Sequence, residues 1–341
     1  MASPSPRRVA AIDCGTNSLR LLIADVDLRR GELIDLHRRM EIVRLGQGVD
    51  ATGRLAPEAL ERTFAMLAQF ARTIGDSGAT AVRLVATSAT RDASNAAEFA
   101  AGVHRILGIE PEVVSGAQEA QLSFVGATSE LRGHAPSAGD AGQPEPPFLV
   151  VDIGGGSTEF VTPRSDDQGD QVDAGDLAAL SVDIGCVRLT ERHLHDDPPT
   201  ADQVAAATAD IDAALDRVAA EIPVKRARTL VGLAGSVTTL TAVALSLPEY
   251  DPVAVHHARI SAGRVHEVTV GLLSMGHDER AAIRTIHPGR VDVIGAGALI
   301  LDRIMTRFGF GEMVASEHDI LDGIAWSIVT GRAAGTAPPW P

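Results

Sequence analysis

Three things are scarce in this chain of 341 residues, and each scarcity narrows its function. No run of apolar residues is long enough to cross a bilayer, so no membrane role is expected. Cysteine occurs twice, as Cys14 and Cys186, without the spacing of a zinc site. The pair therefore reads as buried thiols in a reducing cytoplasm, with no disulfide. Positive charge is the third: 30 Lys and Arg stand against 45 Asp and Glu, a net charge of −15. That balance excludes an extended nucleic-acid surface, which depends on many basic side chains displacing counterions. Any anionic ligand has to be met by local groups instead. No secretory leader is expected. The basic opening "MASPSPRR" precedes an apolar stretch broken by Asp13 and Gly15, with no small-residue cleavage pattern, and reads as a short disordered tail.

What is present is a repeated pattern of strands and helices. "RVAAID", "LRLLIADV" and "ELIDLHRRMEIVRL" predict three successive strands joined by turns. "PEALERTFAMLAQFARTIGDSGA" carries helical periodicity, "AVRLVATSA" reads as a buried strand and "NAAEFAAGVHRILG" as a second helix. A short strand "PEVVS" and a helix from Gln118 follow. Residues 133–147, rich in Pro, Gly and Ala, form the expected linker. The programme then restarts with "FLVVDIGGGSTEFVT", an acidic hairpin loop at 163–176, "LAALSVDIG", a helix at about 200–220, strand "TLVGLAG" and helix "SVTTLTAVALSL". The remainder reads as helical with one short strand, "EMVAS". Length suits two domains, 1–132 and 148–331, with a tail at 332–341. Alternating strands and helices predict layered α/β domains with largely parallel sheets and ligands beyond the carboxyl ends of the strands. Both strand-end turns are then expected to face one interdomain cleft.

Each unit opens with the same turn. In the second, Asp152 and Glu159 bracket Gly154, Gly155, Gly156, Ser157 and Thr158. Residues without Cβ let several backbone N–H groups converge on phosphate oxygens, and the two hydroxyls add donors. Asp152 and Glu159 suit Mg2+ held against that phosphate. In the first unit, Asp13 precedes Gly15, Thr16, Asn17 and Ser18. One such loop alone reads as a hairpin turn, whereas two behind equivalent strands point to phosphate. "VDIGCVRL" also has Asp-x-Gly but lacks the following glycine and hydroxyl, so Asp183 is expected to be a strand-end turn residue.

Taken together, "AIDCGTNSLRLL", "ATSATRDASN", "SGAQEAQLSF", "VVDIGGGSTE", "IGCVRLTE", "LAGSVTTL", "HPGRVDVIGAGALIL" and "SEHDILDGI" resemble the bacterial exopolyphosphatase / guanosine pentaphosphate phosphohydrolase family, in the correct order over residues 9 to 331. The resemblance implies two duplicated actin-like domains of the ribonuclease H-like fold, shared with acetate kinase, with the active site in the interdomain cleft. It implies Mg2+-dependent hydrolysis of the terminal phosphate of linear polyphosphate or of guanosine pentaphosphate, with a monovalent cation such as K+ as a further candidate. A homodimer is likewise implied. In the family the glutamate of the SG-x-x-E-A motif is the base that activates water, which falls on Glu119. The position before it, often acidic in relatives, is Gln118. The chain ends soon after "SEHDILDGI", as in short forms without the carboxyl-terminal helical region, which suggests preference for shorter polymer.

Arg91 follows a buried strand and is a candidate catalytic and phosphate-gripping guanidinium, with an ion pair to Asp92 or Glu98 as the bland reading. Arg20 and Arg290 are weaker candidates of the same kind. His193 with His195, and His256 with His257, lack helical metal-ligand spacing and read as loop or surface histidines. Two other classes fit the same fold: an ATP-dependent small-molecule kinase, and an actin-like assembly protein.

Overall fold

The computed structural model describes residues 6–132, 144–165 and 176–331. The opening segment 1–5, the tail at 332–341 and most of the linker and of the hairpin loop at 163–176 lie outside the described residues. The chain divides into two compact units. The first takes the described residues up to Ser129 and from Ile320 onward, and the second runs from Glu130 to Asp319.

The first unit begins with β1 (Arg7–Cys14), β2 (Ser18–Asp27) and β3 (Glu32–Ile42), followed by the short α1 (Val49–Thr52) and by α2 (Pro57–Ser77). β4 (Val82–Ala86), α3 (Ser88–Asp92), α4 (Ala96–Leu107), β5 (Glu112–Val113) and α5 (Gly116–Arg132) complete the run. Its five strands lie in the order β3-β2-β1-β4-β5. The first three are antiparallel neighbours, whereas β1, β4 and β5 are parallel. The largely parallel sheet expected from the sequence is thus corrected to a mixed one. Tight turns between β1, β2 and β3 allow only antiparallel pairing, and parallel pairing appears where a helix supplies the crossover.

Burial follows the period of each element. Along β1, Ala10, Ile12 and Cys14 pack into one core, and Val9 and Ala11 into another on the opposite face of the sheet. α2 starts with Pro57 at its first turn, ends on Gly78 in the left-handed region (φ 74°) and buries Leu60, Leu67, Phe70 and Ile74 along one stripe. α4 adds Phe99, Val103 and Leu107 to the same core.

The second unit repeats the plan: β6 (Phe148–Ile153), β7 (Thr158–Pro163), β8 (Leu177–Val182), α6 (Cys186–His193), α7 (Ala201–Glu221), β9 (Thr229–Leu233) and α8 (Ala234–Ala244). α9 (Pro252–Val255), β10 (Arg259–Ser261), α10 (Ala262–Ser274), α11 (His277–Ala281), α12 (Ile294–Phe308) and β11 (Glu312–Ala315) follow. The sheet order is β10-β11-β9-β6-β7-β8. The strand β10 is an addition to the single late strand read from the sequence. Its three residues pair antiparallel with β11, too short a stretch for a periodic signal.

The last helix, α13 (Ile320–Thr330), corrects the expected boundary at 331. Ile320, Leu321, Ile324, Ala325 and Ile328 pack with Val9, Ala11, Leu22, Ala24 and Val26, so the helix covers the first sheet rather than the second. Polar ties hold it there: Arg38 on β3 donates to both Asp35 (2.6 Å) and the buried Asp322 of α13. Arg83 on β4 reaches Ser327 and pairs with Glu112 at 2.6 Å. α13 also crosses α5 closely, since a Cβ on Gly323 would lie 2.0 Å from the Leu122 carbonyl oxygen. The apolar pattern of α13 is legible in the sequence, but the sheet that receives it is not.

Candidate active site

The two turns superpose in their chemistry as well as their pattern. In β1–β2, Asp13 pairs with Arg20 and Cys14 with Leu19, and the Gly15 N–H closes the turn on the Ser18 carbonyl at 2.9 Å. In β6–β7, Asp152 pairs with Glu159 and Ile153 with Thr158, and Gly154 N–H closes on the Ser157 carbonyl at 3.0 Å. Carbonyls of both loops are taken up by the chain that follows the third strand. Thr16 O accepts from Gly46 N–H (2.8 Å), and Asn17 O from the N–H groups of Val43 and Arg44 (3.0 and 2.9 Å). Gly154 O accepts from Cys186 N–H (3.0 Å), Gly155 O from Val187 and Arg188 N–H (2.8 and 3.1 Å), and Gly156 O from Arg188 Nε (2.6 Å). Gly185 permits that approach, because a Cβ there would fall 2.3 Å from Gly155 O. The amides of Thr16, Asn17, Gly155 and Gly156 donate to no other described residue. Carbonyls bound on one side and amides left for a ligand are what an anion cradle requires.

The hydroxyls divide. Thr16 Oγ1 lies 2.9 Å from Ser88 Oγ at the start of α3. Ser157 Oγ donates to Glu159 Oε1 at 2.6 Å, and Thr158 Oγ1 donates to the Ile184 carbonyl at 2.5 Å with its side chain fully buried. The hydroxyls of Ser157 and Thr158, read from the sequence as phosphate donors, here donate to Glu159 and to the Ile184 carbonyl. Ser18 remains half-buried at the turn of the first loop.

Glu119 and Arg91 belong to the first unit and meet there. Arg91, in the last turn of α3, donates through Nη1 to Val114 O (3.0 Å) and to Glu119 Oε2 (3.1 Å). Neither Asp92 nor Glu98 is this partner. Glu119 is 7% exposed in the first turn of α5. Ser115 and Gln118 fix that turn. Gln118 N–H donates to Ser115 Oγ (3.3 Å) and Ser115 N–H to Gln118 Oε1 (2.9 Å), a reciprocal helix cap. Gln118 thus serves the helix start and needs no charge. Through Thr16, Ser88 and α3, the first loop is joined to Arg91 and so to Glu119.

Asp13 is not equivalent to Asp152. Arg20 brings Nε and Nη2 to Asp13 Oδ2 at 2.8 and 2.7 Å, so this acid is already compensated by a guanidinium. Asp152 and Glu159 sit directly opposite each other in the β6–β7 register, 6% and 1% exposed. Carboxylates so placed repel, and a cation beside them offsets the repulsion. A pair of hard oxygen donors fits Mg2+, which keeps waters and substrate oxygens as its other ligands. Among the described residues, no group of three or more His, Cys, Asp or Glu is arranged to hold a metal ion by itself.

The remaining candidates have structural partners. Arg290 donates to Thr239 Oγ1 (3.1 Å) with its guanidinium against Gly235, and Asp183 is exposed. His193 lies 2.8 Å from Asp210, and the rings of His256 and His257 stack at 3.7 Å. Cys14 and Cys186 are buried and form no disulfide, and burial pushes both thiols up from the ordinary range. A cavity of about 220 Å3 in the second unit, between Leu194, Asp197, Leu272, His277, Arg280 and Asp292, is lined by none of the predicted site residues. Sequence reading missed Ser88, Ser181 and Arg188. The glycine of "IGC" was the available sign that the chain there comes close to the second loop.

Two mixed sheets with helices, each opening on an acid–glycine–hydroxyl turn, define the actin-like α/β fold class. Within that class the chain belongs to the Ppx/GppA phosphatase family, whose sequence model matches residues 22–330. Membership makes it an enzyme, a phosphatase. It is 48% identical over 332 residues to Exopolyphosphatase 2 of Mycobacterium tuberculosis, covering 94% of this chain and 98% of that one. Among solved structures, an exopolyphosphatase-like protein shares 43% identity with a TM-score of 0.85, covering 96% of this chain and all of the other. A Ppx/GppA family member from Aquifex aeolicus shares 31% identity with a TM-score of 0.76, over 96% and 99% of the two chains. Among the described residues, no helix is long and apolar enough to cross a membrane.

Proposed function

We propose that this chain is an exopolyphosphatase: it hydrolyses the terminal phosphoanhydride of linear polyphosphate, one orthophosphate at a time, in the presence of Mg2+. The observation that carries the reading is Glu119, a buried carboxylate held by Arg91 at 3.1 Å in the unit whose first loop presents backbone amides. The 48% identical mycobacterial protein bears that activity in its name.

Phosphoryl transfer to water depends on positioning and electrostatic compensation. Amides of Thr16 and Asn17, and of Gly155 and Gly156, hold phosphate oxygens. Glu119 accepts the proton of the attacking water at its carboxylate, and Arg91 orients that carboxylate. Asp152 and Glu159 hold Mg2+, which when bound neutralises charge on the phosphate oxygens. Guanosine pentaphosphate, with the same terminal linkage, is the second substrate of these loops. Short polymer is preferred, the enzyme works as a cytoplasmic homodimer, and a monovalent cation such as K+ assists.

The test is release of orthophosphate from polyphosphate of defined lengths, guanosine pentaphosphate and ATP, with and without Mg2+. Mg2+-dependent release from polyphosphate, fastest on short chains, supports the reading. ADP formation that requires an added acceptor, with polyphosphate left intact, replaces it with a kinase. Light scattering of the eluting protein gives the oligomeric state.

A further inference from the structure

Register in the two sheets carries the polar row of each loop onto a third strand. In the first unit the row is Asp13, Arg20 and Met40, across β1, β2 and β3. In the second it is Asp152, Glu159 and Ser181, across β6, β7 and β8. The fold is the same and the first position is Asp in both, yet the chemistry differs at the second and third positions. Where the middle residue is a base that neutralises the first acid, the third is apolar. Where the middle residue is a second acid, the third is a hydroxyl, and Ser181 Oγ donates to Glu159 Oε1 at 2.7 Å. Ser157 donates to the same oxygen at 2.6 Å from the loop. The buried carboxylate is pinned by two donors, one from the loop and one from β8, and its last torsion cannot turn without breaking both bonds. Met40 at the matching place shows that this position of the fold does not require a hydroxyl.

From this arrangement we infer that Ser181, outside both glycine loops, is a positioning residue for the divalent cation. With Ser157 it fixes the Glu159 carboxylate as a ligand and compensates its charge in the absence of the ion. Only the second loop is built this way, so each chain carries one such cation and the Asp13–Arg20 pair carries none. The inference rests on the reading that Asp152 and Glu159 hold Mg2+. Partners that orient a metal ligand commonly contribute 10- to 100-fold in metal affinity.

Mn2+ serves as the probe, titrated into the full chain with the unbound ion followed by electron paramagnetic resonance. The expected stoichiometry is one ion per chain. S181A should weaken Mn2+ binding by about ten-fold or more, and raise the Mg2+ concentration for half-maximal rate by more than it lowers kcat. S181T, which restores the donor, should recover most of the affinity, and E159Q should lose it. If S181A does not fold, S181C, similar in size with a weaker donor, is titrated instead. S181A that binds Mn2+ like the unaltered chain while E159Q has lost it overturns the role of Ser181. E159Q and D152N that both bind normally overturn the cation site itself, and the inference with it.

Discussion

A buried carboxylate is useful to a hydrolase only if it stays ionised and points one way. The Glu119 carboxylate is held in place by Arg91 on a neighbouring helix and by the Ser115–Gln118 cap that sets its own helix turn. Replacing Glu119 by Gln keeps the volume and removes the base. Phosphate release should fall by roughly 10^2 to 10^4 with the melting temperature little changed, and a folded E119Q with near-normal rates would remove Glu119 from the chemistry. A second prediction concerns acid stability. His277 N–H and then the Arg280 guanidinium hold the Asp197 carboxyl below the usual carboxylate range. The unfolded chain binds that proton more readily, so the stabilisation is fully present above the ordinary Asp value of about 4 and is lost as pH falls through the lower folded value. The melting temperature of D197N should lie below that of the unaltered chain at pH 6, and the two should converge towards pH 3.

At the scale of elements, the functional unit is a hairpin braced from behind. The strand-end loop supplies amides because the segment after the third strand takes its carbonyls, residues 43–46 in one unit and 185–188 in the other. G185A tests the brace. Its new methyl would meet Gly155 O and C at 2.3 and 2.4 Å, so the loop must move. Overpacking of this kind typically costs about 1–3 kcal/mol, and both a lowered melting temperature and reduced phosphate release are expected. Normal values for both would mean the loop's position is not set by that contact. The hairpins themselves were legible in the sequence, since alternation at "RVAAID" and "FLVVDI" and the recurrence of acid, glycine and serine need only local information. The fate of each polar group was not. Nothing local distinguishes Thr158, whose hydroxyl is spent on Ile184 O, from Ser18, or marks Ser181 as the partner of a glutamate twenty-two residues away. Those pairings depend on register between strands, which a single sequence does not print.

For the molecule as a whole, the net charge of −15 sets a condition on a polyanionic substrate. Long-range repulsion opposes its approach, and added salt screens repulsion over about 10 Å at 0.1 M. At saturating Mg2+, kcat/KM for polyphosphate should therefore rise between 20 and 150 mM NaCl, opposite to the fall seen when a basic protein meets a polyanion. A steep fall would show that local cations dominate the encounter. The duplicated architecture was readable from the repeat of its elements, whereas the docking of α13 was not, because an apolar helix fits either sheet.

That docking has a consequence for synthesis. The second unit is one unbroken stretch of chain, but the first is closed only when Ile320–Thr330 has been made and laid over β1 and β2. On the ribosome the later half can therefore finish folding while the earlier half still waits, with Val9, Ala11 and Leu22 uncovered, for its final helix to emerge.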